Sequence, residues 1–156
     1  MLWLLPLTLQ VSDTLRLVPA GPAVRFDGAA SVVEYGDPTV TLTTQQGAVR
    51  IWLRRDSSAV IIAAAIPDAT HSWGDDLVIS LDTGGDRSAG PAHDDFQWCF
   101  RRVLDSSVVQ RGDAGRWRLP RNDDPDWRLG PDHAGSGWEV RAAEAAAGWS
   151  LELRLD

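Results

Sequence analysis

The chain has 156 residues and a formal net charge of −7, a length that suits one domain burying about two-thirds of its unfolded surface. The negative balance excludes a general polyanion binder, because phosphate recognition needs a clustered positive field, and no nucleic-acid partner is expected. Every basic residue is arginine, which removes lysine chemistry; the single cysteine, Cys99, removes an intrachain disulfide, a C-x-x-C pair and a multi-cysteine zinc site.

Met1 to Gln10 is almost wholly apolar. It is too short to cross a bilayer, which takes about 20 residues, so no membrane span is expected. It has the length of a secretory apolar region, yet no basic residue precedes Arg16. Residues 1–20 therefore read either as a short signal peptide or as a first strand, and residues 21–156 as the domain. A secreted or periplasmic location is the expectation.

Short apolar segments then follow one another between turns. Val24-Arg25-Phe26 runs into Asp27-Gly28, and Glu34-Tyr35-Gly36-Asp37-Pro38 turns the chain before Thr39 to Thr44. Val49, Ile51 and Leu53 alternate with Arg50, Trp52 and Arg54. After Asp56-Ser57-Ser58 comes Ala59 to Ile66, a nearly continuous apolar run, and the pair predicts a hairpin whose second strand lies inside a sheet. Beyond Trp73, residues Leu77, Ile79 and Leu81 fall on one face and Asp76, Val78, Ser80 and Asp82 on the other, a half-buried strand. A glycine-rich acidic loop, Thr83 to Ala92, precedes the alternation of Phe96, Trp98 and Phe100 with Gln97, Cys99 and Arg101.

Gln110 to Gly137 has little periodicity and carries Arg111, Arg116, Arg118, Arg121 and Arg128 around Trp117 and Trp127; a long loop or loosely paired hairpin is predicted. Val140 to Ala147 is a helix-like window without a capped amphipathic stripe. Trp149, Leu151, Leu153 and Leu155 alternate strictly with Ser150, Glu152, Arg154 and Asp156. These spacings predict an all-β protein, an antiparallel β-sandwich of immunoglobulin-like or jelly-roll-like type, with most of the eight tryptophans in its packing.

Several of these pieces, in this order, form a pattern: Phe26-Asp27-Gly28 with Glu34-Tyr35, the Val49–Leu53 and Ala59–Asp68 hairpin, Trp73-x-Asp75 ending at Asp82, Asp94-Asp95-Phe96-Gln97, and Gly148-Trp149-Ser150-Leu151-Glu152. The pattern resembles the family 9 carbohydrate-binding modules, within the wider group of DOMON-like β-sandwiches. The resemblance implies a non-catalytic module whose partner is an oligosaccharide or polysaccharide, clamped between two tryptophans. It assigns the first clamp to Trp73, which as an isolated residue reads equally as edge packing. Asp75, Gln97 and Arg101 are the candidate hydroxyl contacts. The family's strand glutamate falls at Val78 and its arginine at Cys99, and the second clamp tryptophan belongs to strands beyond Asp156. Trp117, Trp127 and Trp138, with Arg116, Arg118 or Arg128, are candidates for a replacement platform.

Asp82, Asp86, Asp94 and Asp95 crowd one connection with Gly84, Gly85 and Gly90. Calcium takes six to eight oxygens from such loops, and the resemblance implies structural calcium, although the spacing matches no EF-hand; a solvated acidic loop is the alternative. His71, His93 and His133 lack ligand spacing, and no G-x-S-x-G is present. The DOMON-like group also includes haem carriers, but Met1 is the only methionine and lysine is absent, so no haem is expected. The remaining reading is a structural domain that kept the fold and meets a protein partner at an open sheet edge.

Overall fold

The period-2 pattern becomes two sheets in the computed structural model, which describes residues 17–21, 24–119 and 137–156. The first sheet contains β1 (Val18–Pro19), β2 (Val40–Thr44), β3 (Gly47–Arg55), β4 (Val60–Ile66), β9 (Trp138–Ala145) and β10 (Gly148–Leu155). Its order is β1-β3-β4-β10-β9, with β2 also paired to β3. The second sheet is a meander of β5 (Asp76–Asp82), β6 (Asp95–Arg101), β7 (Ser106–Asp113) and β8 (Arg116–Arg118). Pairing is antiparallel apart from the short β1–β3 contact. The first-strand reading of residues 1–20 and the candidates Arg121, Trp127, Arg128 and His133 lie wholly or mostly outside the described residues.

The β3–β4 hairpin forms as expected, and β4 lies between β3 and β10. Both of its faces are covered, which is why Ala59 to Ile66 is apolar without alternation. The helix-like window Val140 to Ala147 is instead strand β9 and the turn after it. Alanines carry little facial information, and the register Leu153↔Val140 and Leu151↔Ala142 settles the strand by completing an inner face.

Ile62 packs between the sheets with Trp98, Phe100, Val109, Trp138, Trp149, Leu151 and Leu153. Ile61 and Ala63 point the other way and join Ala30, Tyr35 and Trp52 in a second core. The second core sits on the outer side of the first sheet, beneath the segment holding the four-residue helix α1 (Val32–Tyr35). Polar anchors fix that cap. Trp52 Nε1 donates to the Gly36 carbonyl at 2.9 Å, and buried Arg54 donates to the carbonyls of Tyr35 and Asp37 at 2.5 and 2.8 Å. Glu152 accepts the Gly28 N–H at 2.6 Å and the Tyr35 hydroxyl. Gly28 lies at φ 88°, and a Cβ there would stand 2.6 Å from the Ala142 carbonyl carbon. The Asp27-Gly28 turn thus needs glycine for both conformation and close approach.

Glu152 is fully buried, and that burial raises its carboxyl pKa above the ordinary glutamate range despite the bonds from Tyr35 and Gly28. The folded state therefore holds its proton more tightly than the unfolded chain. Its contribution is complete below the unfolded pKa, about 4.3, and is lost as pH rises through the folded value. The melting temperature should carry a decrement across that window that Glu152→Gln flattens; an identical pH profile in the variant would contradict this.

Candidate functional site

One side of the sandwich is capped, and among the described residues the other is open. The outer face of the second sheet presents cross-strand rows set by its register: Asp76–Arg101–Ser106, Val78–Cys99–Val108, Ser80–Gln97–Gln110, and Asp82–Asp95. Gly112, next to the Arg111 that pairs with Phe96, is paired to Trp117 on β8. Val78 is 50% exposed. Gln97 Nε2 donates to Ser80 Oγ at 2.9 Å, and the Cys99 thiol donates to Gln97 Oε1 at 3.6 Å. Burial, aided by Asp76, pushes the Cys99 thiol pKa up, which disfavours the nucleophilic thiolate.

Trp73 stands at one end of this face, in the connection between β4 and β5, and is 71% exposed. The Arg101 guanidinium lies 5.1 Å from the indole centroid. Its Nε and Nη2 donate to the two carboxylate oxygens of Asp76 at 3.0 and 2.9 Å. The planar fork is thereby oriented before any ligand arrives, and the indole rests against it. Most of the ring surface remains in solvent.

The neighbouring acid and arginine do something different. Asp75 precedes Asp76 and Arg102 follows Arg101, so antiparallel pairing brings one ion pair to each side of the sheet. Asp76–Arg101 faces solvent, whereas Arg102 is 6% exposed. Its Nη1 donates to Asp75 Oδ2 at 3.1 Å and to the carbonyls of Asp68 and Thr70 at 3.1 and 2.6 Å. Nε and Nη2 bond Glu144 on β9 at 2.8 and 2.6 Å. Asp75 also accepts the N–H and hydroxyl of Ser72 at 3.0 and 3.2 Å. Asp75 is therefore not placed as a hydroxyl contact: it turns inward and shapes the loop that carries Trp73, with Gly74 at φ 108° beside it. Of the residues predicted for sugar contact, Trp73 and Arg101 come together, Gln97 shares their face two rows away, and Asp75 holds them from behind. Sequence reasoning missed Arg102 and Glu144. The alternation of consecutive Asp75-Asp76 against Arg101-Arg102 was the signal that could have found Arg102.

At the other end of the sheet, Asp82, Asp94 and Asp95 each bring a carboxylate oxygen within 4.8 Å of the others. Asp95 is 6% exposed; its Oδ2 accepts the Ala92 N–H at 2.6 Å, while the buried Oδ1 accepts no hydrogen bond. Asp82 accepts the N–H groups of Arg87 and Gly85 at 3.0 and 2.6 Å, and these bonds, Arg87 foremost, hold its carboxyl below the usual range. A Cβ on Gly84 would meet Asp94 Oδ2 at 1.8 Å, so glycine lets that carboxylate close in. Three carboxylates around an orphaned buried oxygen fit a hard cation. Asp86 does not join them; it accepts the Ser88 N–H at 2.8 Å in an Asx turn.

Other predicted candidates are dispersed. His71 borders a cleft of about 280 Å³ with Arg102, Glu144 and Trp149, and His93 contacts Arg111 through Nδ1 at 2.6 Å. Trp138 is buried in the inter-sheet core and is no platform. Trp117 is half-buried and lines a cleft of about 390 Å³ with Ser80, Asp82, Ser88 and Asp95.

The fold and this face define a β-sandwich with an exposed tryptophan at one end of its second sheet. No protein-family model and no curated protein matches the sequence. Among solved structures, the chain is similar to a family 9 carbohydrate-binding module from Caldicellulosiruptor kristjanssonii in complex with glucose, at 18% identity and TM-score 0.54, covering 90% of this chain and 67% of that one. The same organism's family 9 module in complex with cellotriose gives 17% identity and TM-score 0.56, covering 89% and 65%. The chain thus shares the fold of family 9 carbohydrate-binding modules and spans about two thirds of their length.

Proposed function

We propose that this domain is a non-catalytic carbohydrate-binding module that stacks a sugar on Trp73. The observation that carries the reading is an indole 71% exposed yet oriented by the Arg101–Asp76 pair, at the end of a sheet whose outer face no other sheet covers among the described residues. A pyranose offers a patch of C–H bonds to the negative face of an aromatic ring. Free N–H capacity on Arg101 answers the hydroxyls around it, and the Gln97 amide lies two rows further along the same face. The similar structures carry glucose and cellotriose, which supports this class of ligand. Export belongs to the same proposal, since structural polysaccharides of cell walls lie outside the cytoplasm.

Calorimetric titration with glucose, cellobiose, cellotriose and xylo-oligosaccharides should give saturable heat with at least one of them. No heat with any would contradict the reading. Asp82, Asp94 and Asp95 would hold a structural calcium ion that ties the 83–94 loop to β5 and β6. Calcium should then raise the melting temperature over that in EGTA, and Asp95→Asn should remove most of the difference; equal melting with and without calcium would exclude the site.

A structural role is the alternative, favoured by Val78 and Cys99 where the resemblance calls for charged sugar contacts. Strands β5 and β9 each pair on one side only among the described residues, leaving edges for another chain.

A further inference from the structure

The open face carries a second tryptophan. Trp117 pairs with Gly112, the residue after the Arg111 that pairs with Phe96, and Asp95, the residue before Phe96, pairs with Asp82. The cleft it lines is bounded by Ser80 and Asp82 of β5, by Asp95 of β6, and by Ser88, Gly90 and Pro91 of the loop above. Glycine at 112 is what makes room, because a Cβ there would meet the Ala92 carbonyl oxygen at 2.1 Å. The Pro91–Ala92 loop therefore folds onto the sheet and forms one wall beside the Trp117 ring.

Trp73 and Trp117 thus mark opposite ends of one face. The Asp76 and Asp82 rows are separated by the whole of β5, and at about 3.4 Å per residue that is about 20 Å. Between them lie an apolar row, Val78–Cys99–Val108, and an amide and hydroxyl row, Ser80–Gln97–Gln110. A glycan chain presents that same alternation, with ring C–H patches and hydroxyl edges along its length. A single hexose at Trp73 would leave the amide row and the Trp117 cleft unused.

We propose that the outer face of the second sheet binds a glycan lengthwise, over about four linked pyranose rings at the strand spacing given, with Trp73 and Trp117 as its two end platforms. This rests on the sugar-binding reading above and extends it: the ligand class is an oligosaccharide or the interior of a polysaccharide, and the face is continuous with the Trp73 site.

The test is chain-length dependence. Glucose through cellohexaose, and the matching xylo-oligosaccharides, are titrated into the wild type, Trp117→Ala and Ser80→Arg, with circular dichroism to confirm folding. The wild type should gain at least tenfold in affinity from one unit to four or five and little thereafter. Trp117→Ala should cut the pentaose-to-glucose affinity ratio toward one. Ser80→Arg, a change at an exposed position in the middle of the face, should do the same without touching the half-buried indole. Equal affinity for glucose and pentaose in the wild type, or unchanged ratios in both variants, would overturn the lengthwise site while leaving sugar binding at Trp73 standing. Absence of binding to every sugar would instead remove the reading on which it rests.

Discussion

Arg102→Ala should destabilise the domain by about 3–5 kcal/mol, the range for removing one partner from a buried ionic network. The guanidinium is nearly enclosed, at 4% side-chain exposure, and Asp75 is 12% exposed. Its loss leaves the Asp75 carboxylate and the carbonyls of Asp68 and Thr70 without their donor. It also leaves a void against the Trp149 ring, whose centroid is 5.6 Å from the guanidinium carbon. The Glu144 pair contributes less than its two short bonds suggest, because Glu144 is 56% exposed and solvent screens it. The main cost comes from Asp75 and the carbonyls. Arg102→Lys should recover less than half, since an ammonium cannot reproduce a fork aimed at Glu144, Asp75 and two carbonyls together. Urea unfolding monitored by tryptophan fluorescence measures this directly; a loss below about 1 kcal/mol would mean that the network is solvent-compensated. Sugar affinity should fall with it, because the same contacts set the 68–75 connection from which Trp73 projects.

Much of the fold was legible because alternation is a local signal. Leu77, Ile79 and Leu81, Phe96, Trp98 and Phe100, and Leu151 and Leu153 each announced a strand by their alternation, and the structure packs them against one another. The capped outer side of the first sheet was less visible. Trp52 alternates with Ile51 and Leu53 as a solvent-facing residue would, and only the fold of residues 24–38 over it explains an indole at 0% exposure. Long-range closure of that kind leaves no local period. The Val140 to Ala147 window misled for the opposite reason: alanine fits either periodicity, so the register with β10 decided it.

The site followed the same division. Trp73 could be named from the resemblance and Arg101 as a candidate on its alternating strand, but the roles of adjacent residues could not. Asp75 and Asp76 are chemically identical, as are Arg101 and Arg102; a one-residue step across the strand sends one pair to solvent and the other to the interior. The acidic loop was recognisable by composition. Which three aspartates converge, and that Asp86 caps a turn instead, depended on the loop's path.

Trp73→Ala is the second large effect, and it bears on the central claim. An exposed indole contributes little to folding, so the melting temperature should be nearly unchanged. An aromatic anchor on which a ligand stacks is worth about 2–3 kcal/mol, which is about 30- to 150-fold in affinity. The decisive measurement is tryptophan fluorescence during titration with cello- and xylo-oligosaccharides, wild type against Trp73→Ala. A saturable change in the wild type, lost or shifted at least thirtyfold in a variant that melts normally, is the predicted result. Equal affinity in the two proteins would contradict a sugar platform at Trp73.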